Sequence, residues 1–140
     1  LAASAVGPQL RRLGLGACAV GDCGFAAVAR HCSGLQSLSL ARCPKPLGAG
    51  AAALFFECRT LSALTAKAKR GRAAAAAALF PADAEPLPQL RAVFLRGTVG
   101  LSDDCVLGLA ARCPRLTTLD VGGDTAGITA AGVAALLASP

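Results

Sequence analysis

Apolar residues recur along the chain in a six-residue unit, L-x-x-L-x-L or a near variant, five times. The copies are Leu10-Arg-Arg-Leu13-Gly-Leu15, Leu35-Gln-Ser-Leu38-Ser-Leu40, Leu61-Ser-Ala-Leu64-Thr-Ala66, Leu90-Arg-Ala-Val93-Phe-Leu95 and Leu116-Thr-Thr-Leu119-Asp-Val121. Their first positions lie 25, 26, 29 and 26 residues apart. In each copy the last two apolar positions flank one residue, which is small or polar in all but the Phe94 copy. That is strand periodicity. Leu13 and Leu15 then face inward while Arg12 and Gly14 face outward.

Between these units the period becomes helical. Asp22–Cys32 sets Phe25, Val28, Ala29 and Cys32 at i, i+3, i+4 and i+7, one apolar face. Asp103–Cys113 does likewise with Val106, Leu109, Ala110 and Cys113. Ser102 or Asp103 is placed to cap that helix, its first-turn acids suit the helix dipole, and Pro114 cannot continue it. Each repeat reads strand, turn, helix, turn.

A period of about 26 falls in the leucine-rich-repeat range of roughly 20–29. The expected fold is therefore α/β: a right-handed leucine-rich-repeat solenoid, horseshoe-shaped and like ribonuclease inhibitor. Its parallel strands line the concave face and its helices the convex face. One array over residues 1–140 holds repeats starting at 10, 35, 61, 90 and 116. Residues 1–9 read as the tail of a preceding repeat. Repeat 61–89 is irregular: it ends its strand on Ala66, carries Lys67, Lys69, Arg70 and Arg72, and continues through the alanine run Ala73–Ala78 into a proline-rich exit loop, Pro81–Pro88. The alanine run is expected to be its helix. No polar cap is visible at either end, so the chain reads as an interior fragment of a longer array.

The seven cysteines follow the repeat. Position 8 after the first leucine holds Cys18, Cys43, Lys69, Thr98 and Asp124. There the strand ends and backbone N–H groups need partners, which a small side chain of weak hydrogen-bonding capacity can serve. A second column, Cys32, Cys58 and Cys113, closes each helix onto the core. Cys23 and Cys105 read as filler. An odd count without Cys-x-x-Cys argues against a disulfide framework. Reduced, buried cysteines suit a cytoplasmic or nuclear protein.

The stretches Val20–Cys43 and Leu101–Val121 carry this pattern most fully, and they resemble the cysteine-containing leucine-rich repeat of F-box/leucine-rich-repeat proteins. The resemblance implies the substrate-recognition part of an F-box-type adaptor. Such an adaptor serves an SCF (cullin-RING) ubiquitin ligase in ubiquitin-dependent protein catabolism. A cullin-adaptor subunit would then be met through a region outside this chain; no F-box is visible within it. The alternative is a leucine-rich-repeat scaffold in another signalling or assembly role.

Composition narrows this further. The chain is 54% hydrophobic, mostly Ala and Leu, with no Trp, Tyr or Met and five Phe. Such side chains build a thin, regular core of similar layers. The net charge of +6 would also suit nucleic acid or anionic lipid, with binding that weakens steeply in salt. No aromatics are interleaved with the basic cluster, so base stacking has little support. The longest apolar run, Ala73–Phe80, is far short of a membrane span, and no signal peptide is recognisable.

Motifs for chemistry are missing. His31 stands alone beside Cys32, Gly14-Leu-Gly16 lacks the rest of a dinucleotide fingerprint, and Asp103 and Asp104 belong to the turn-to-helix segment. No enzyme activity, cofactor or metal is expected. What remains is the outward side of the strands, expected to bind a protein partner. Its columns are Arg12, Ser37, Ala63, Ala92, Thr118; Gly14, Ser39, Thr65, Phe94, Asp120; and Gly16, Ala41, Lys67, Arg96, Gly122. The candidate contact residues are Arg12, Ser37, Ser39, Thr65, Lys67, Phe94, Arg96, Thr118 and Asp120, with Phe94 as an exposed anchor between Lys67 and Arg96.

Overall fold

Each apolar unit forms a strand at its alternating end, and each strand is three residues long. The computed structural model describes residues 6–42, 49–66, 85–98, 100–123 and 126–138. Its elements are β1 (Arg12–Gly14), α1 (Asp22–His31), β2 (Ser37–Ser39), α2 (Ala49–Glu57), β3 (Ala63–Thr65), β4 (Ala92–Phe94), α3 (Asp103–Arg112), β5 (Thr118–Asp120) and α4 (Ala130–Ala138). The strands make one parallel sheet in chain order. Parallel neighbours need a crossover, and α1, α2 and α3 supply those after β1, β2 and β4. The basic cluster, the helix expected over Ala73–Ala78 and the start of the exit loop lie outside the described residues.

The spatial register is the repeat register. Leu13, Leu38, Leu64, Val93 and Leu119 stand side by side across the sheet. The central members Leu38, Leu64 and Val93 are buried, as are Leu35, Leu61, Leu90, Leu40, Ala66 and Leu95. They pack against Phe25, Ala29, Leu54, Phe55 and Leu109 from the helices. The expected helix faces hold, with Val28 and Ala110 only partly covered. In the first and last layers Leu10, Leu13, Leu15, Leu116, Leu119 and Val121 are only partly buried, because each has a neighbouring layer on one side alone. The result is an open five-stranded parallel sheet with flanking helices, a general α/β architecture.

Side chains tie one repeat to the next. The Asp103 carboxylate accepts the Thr129 N–H at 2.8 Å and the Thr129 hydroxyl at 2.6 Å. Asp22 accepts the Gly50 N–H at 3.1 Å. Asp103 therefore serves the start of α4 rather than capping α3, and Ser102, at the α3 N-cap, makes no side-chain cap bond. The Thr129 bonds hold the Asp103 carboxyl below the usual carboxylate range. Arg112 is buried and donates from Nε to the Glu85 carbonyl at 2.8 Å, fastening the entry to β4 onto α3.

Seven residues past the first leucine the chain turns through positive φ: Ala17 at 59°, Arg42 at 61°, Gly97 at 74° and Gly123 at 127°. Among the described residues, two repeats place glycine there and two do not. A left-handed conformation costs a non-glycine residue roughly 1–2 kcal/mol, against about 0.5–1 kcal/mol of extra unfolded-chain entropy for glycine. Ala17→Gly is thus expected to raise stability by up to about 1 kcal/mol in urea melts. A loss of stability would contradict this accounting.

Candidate partner-binding face

One face of the sheet is half-exposed. The first outward row runs Arg12, Ser37, Ala63, Ala92, Thr118, and the second runs Gly14, Ser39, Thr65, Phe94, Asp120. Interior members of both rows are half-buried, while Arg12, Gly14 and Thr118 at the ends are exposed. Flanking strand residues and buried central ones alternate because successive side chains leave a strand on opposite faces. Ser37, Ser39 and Thr65 thus form one short polar strip beside Phe94. Lys67 lies outside the described residues.

Two expectations about Phe94 change. Its side chain is half-buried, not fully exposed, because Thr65 and Asp120 stand on either side in the same row. Arg96 is committed elsewhere: its Nε lies 3.3 Å from Asp120 Oδ2 and 3.5 Å from Oδ1. The Gly122 N–H donates to Asp120 Oδ1 at 3.1 Å and fixes that carboxylate. The Arg96 side chain is 66% exposed, so this surface pair contributes little to stability. Its effect is local: it places an ion pair, rather than a lone cation, next to Phe94.

The cysteine columns divide. Cys32, Cys58 and Cys113 are buried, as their place at the helix ends requires. The Cys58 thiol donates to the Cys32 carbonyl at 3.4 Å, linking equivalent positions of successive repeats. Burial pushes the Cys58 thiol up to about 11, with Cys32 and Glu57 adding to the rise. Burial also pushes Cys113 up to about 11, against a downward pull from Arg112, and raises Cys32. In the other column the buried Thr98 hydroxyl donates to the Ala66 carbonyl at 2.9 Å. At Thr98 and Cys18 the column thus places a side-chain donor at a carbonyl just past a strand, rather than a partner for strand N–H groups. Cys18, in the first repeat, is exposed and its thiol lies 3.6 Å from the Gly16 carbonyl. Cys105 is buried filler but Cys23 is exposed, so the expectation of burial fails for Cys18 and Cys23. Cys43 lies outside the described residues.

His31 ends α1 and is exposed. Among the described residues no group of three or more His, Cys, Asp or Glu side chains is placed to hold a metal ion. Among them too, no helix is long and apolar enough to cross a membrane. The inter-repeat roles of Asp22, Asp103 and Arg112 escaped sequence reasoning. Their partners lie 26 to 28 residues away, and the repeat spacing was the one signal that could have paired them.

No protein-family model matches the chain, and no curated protein matches it.

Proposed function

We propose that the chain is a leucine-rich-repeat scaffold that binds a protein partner on the half-exposed face of its sheet. The observation that carries this is the register: residues spaced one repeat apart stand in continuous rows on that face, over five strands. Packed helices stand about 8–10 Å apart, whereas neighbouring strands stand about 4.8 Å apart. A stack with helices packed beside each other, as α1 and α2 are and α3 and α4 are, favours bending with the strands inside. A horseshoe with a concave strand face is the shape this reading implies. The rows offer small polar groups, one large apolar side chain at Phe94 and the Arg96–Asp120 pair. An aromatic among adaptable hydrogen-bonding groups suits an extended protein segment.

The second reading is substrate recognition for a cullin-RING ubiquitin ligase through an F-box elsewhere. It rests on the cysteine-containing repeat of Val20–Cys43 and Leu101–Val121. The scaffold without a ligase link requires less and is preferred.

The test compares partner capture by the wild type, Phe94→Ala on the sheet face and Leu107→Ser on the exposed side of α3. Phe94→Ala is expected to weaken a captured partner by about 2 kcal/mol, roughly thirty-fold, with Leu107→Ser unchanged. Loss on Leu107→Ser with retention on Phe94→Ala would place binding on the helices and defeat the proposal. Cullin-adaptor subunits co-captured by the full-length protein would favour the second reading.

A further inference from the structure

Charge is sorted between the two rims of the stack. Each strand is entered through a short segment, residues 8–11, 33–36, 59–62, 88–91 and 114–117. These segments hold Arg11, Arg59, Arg91 and Arg115 and no acidic residue, and all four arginines are exposed. The opposite rim, from strand ends to helix starts, carries Asp22, Asp103, Asp104 and Asp120 beside Arg42 and Arg96. Cations in the last turn of a helix, such as Arg30, answer its dipole. Arg11, Arg59, Arg91 and Arg115 stand past the helix ends, so the dipole does not account for them. Among the described residues, no carboxylate pairs with any of the four.

The sheet register lines these segments up. Gln36 donates its N–H to the Arg11 carbonyl, Ser62 to Gln36, Arg91 to Ser62 and Thr117 to Arg91, at 2.8–2.9 Å. Arg11, Gln36, Ser62, Arg91 and Thr117 are thus one row across five repeats. Two of the arginines are held in place. Arg11 lies across Gly34, where an added Cβ would run into it, and donates from Nη1 to the Gly34 carbonyl at 3.0 Å. The Arg59 guanidinium sits 5.2 Å from the centre of the Phe56 ring, which is itself 56% exposed at the end of α2. Arg59 and Arg91 have a repeat on each side, so their setting does not depend on where the chain begins or ends.

Spacing selects the ligand. Arg11 and Arg91 are three strand steps apart, about 14 Å at the usual strand separation. An extended polypeptide advances about 3.3 Å per residue, so carboxylates four residues apart span nearly that distance. Guanidinium forks suit carboxylates. A nucleic-acid backbone fits less well, because it carries a charge at every nucleotide. Between Arg11 and Arg91 the row is neutral, and Glu57 and Glu85 precede the third and fourth segments. Phe56 already carries Arg59 on its ring, and no run of exposed aromatics follows it among the described residues to stack bases.

We propose that this rim docks an acidic segment of a partner protein, extended across the strand entries, with carboxylates four residues apart on Arg11 and Arg91 and others at Arg59 and Arg115. The surface adjoins the sheet face and stands independently of the partner reading above.

Fluorescence anisotropy at low salt tests it. The probe is a labelled peptide of glutamate and serine, with glutamate at every fourth position. The wild type is expected to bind it, and to bind its glutamine counterpart far more weakly. Arg59→Gln and Arg91→Gln are each expected to weaken binding about three- to five-fold, the scale of an exposed ion pair. Arg42→Gln removes the same charge from the opposite rim and is expected to change binding less than about two-fold. Circular dichroism checks folding. Should Arg59→Gln disturb the packing around Phe56, Arg91→Gln carries the test alone. Equal losses in Arg42→Gln and Arg91→Gln would reduce the effect to overall charge and overturn the proposal. Oligothymidylate of equal charge bound more tightly than the peptide, with the same two arginines sensitive, would assign the rim to nucleic acid instead. A peptide that does not bind even at low salt also overturns it.

Discussion

Replacing Leu38 by alanine is expected to lower the unfolding free energy by about 2–5 kcal/mol. Leu38 sits in the second strand, is 1% exposed, and is flanked in the sheet by Leu13 and Leu64. Beneath it lie Ala51, Leu54 and Phe55 of α2. The strands on both sides are held by backbone ladders, so the layer cannot close over the missing methyl groups. The cost then falls toward the upper part of the range, because it includes the residual cavity as well as the lost transfer energy. Ser37→Ala, one residue away on the opposite face, is expected to stay within about 0.5 kcal/mol. Urea melts of the two variants compare the faces directly. Equal losses would mean the strand is inverted relative to the register described above.

The register was legible before any coordinates because two periods coincide. Period 2 within a strand sets which side chains face inward, and the repeat spacing sets which strands lie side by side. Both act locally or by simple translation, so Leu13, Leu38, Leu64, Val93 and Leu119 could be aligned by counting. Phe25, Ala29 and Leu109 were legible for the same reason, through helical spacing. Interactions that depend on where a flexible side chain goes were not. Asp103 has every sequence attribute of a cap for α3, yet its carboxylate finds Thr129, 26 residues on. Arg96 reads as a free cation beside Phe94 until Asp120 is seen within 3.3 Å. Cys18 shares its column with Thr98, but Thr98 is covered by repeats on both sides and Cys18 by one. Position within the stack decides burial there, and residue type does not carry that information.

For the candidate face, the rows could be read from the sequence and the surroundings of Phe94 could not. Alternation shows that Phe94 points away from the core. It does not show how far Thr65 and Asp120 cover the ring. A half-covered ring is better held for binding than a free one, since less side-chain freedom is lost when a partner arrives. The Arg96–Asp120 pair sharpens the same point. Under the proposed reading, a partner segment approaching Phe94 would meet a neutral pair, so its fit would depend on shape and hydrogen bonding more than on net charge.

Alkaline pH is expected to destabilise this protein between about pH 9 and 11, and buried thiols are the cause. Cys58 and Cys113 are pushed from an ordinary value near 9 to about 11 in the folded chain. Below pH 9 both thiols are protonated in the folded and unfolded states, and the stability they carry is fully present. Between pH 9 and 11 the unfolded chain releases these protons while the folded chain keeps them. The folded state then binds more protons, so stability falls as pH rises through that window. A two-unit difference corresponds to on the order of 2–3 kcal/mol per thiol. Two such losses are a large share of the roughly 5–15 kcal/mol that holds a domain together. Cys32, raised in the same direction, adds to the effect. Guanidinium melts at pH 8 and pH 11 on the wild type and on Cys58→Ala/Cys113→Ala separate this from other titrations. The double variant starts less stable, because two packed sulfurs are gone, but its stability is expected to change far less over the interval. An equal decline in both proteins would assign the alkaline loss to groups other than these thiols and would place Cys58 and Cys113 in contact with water.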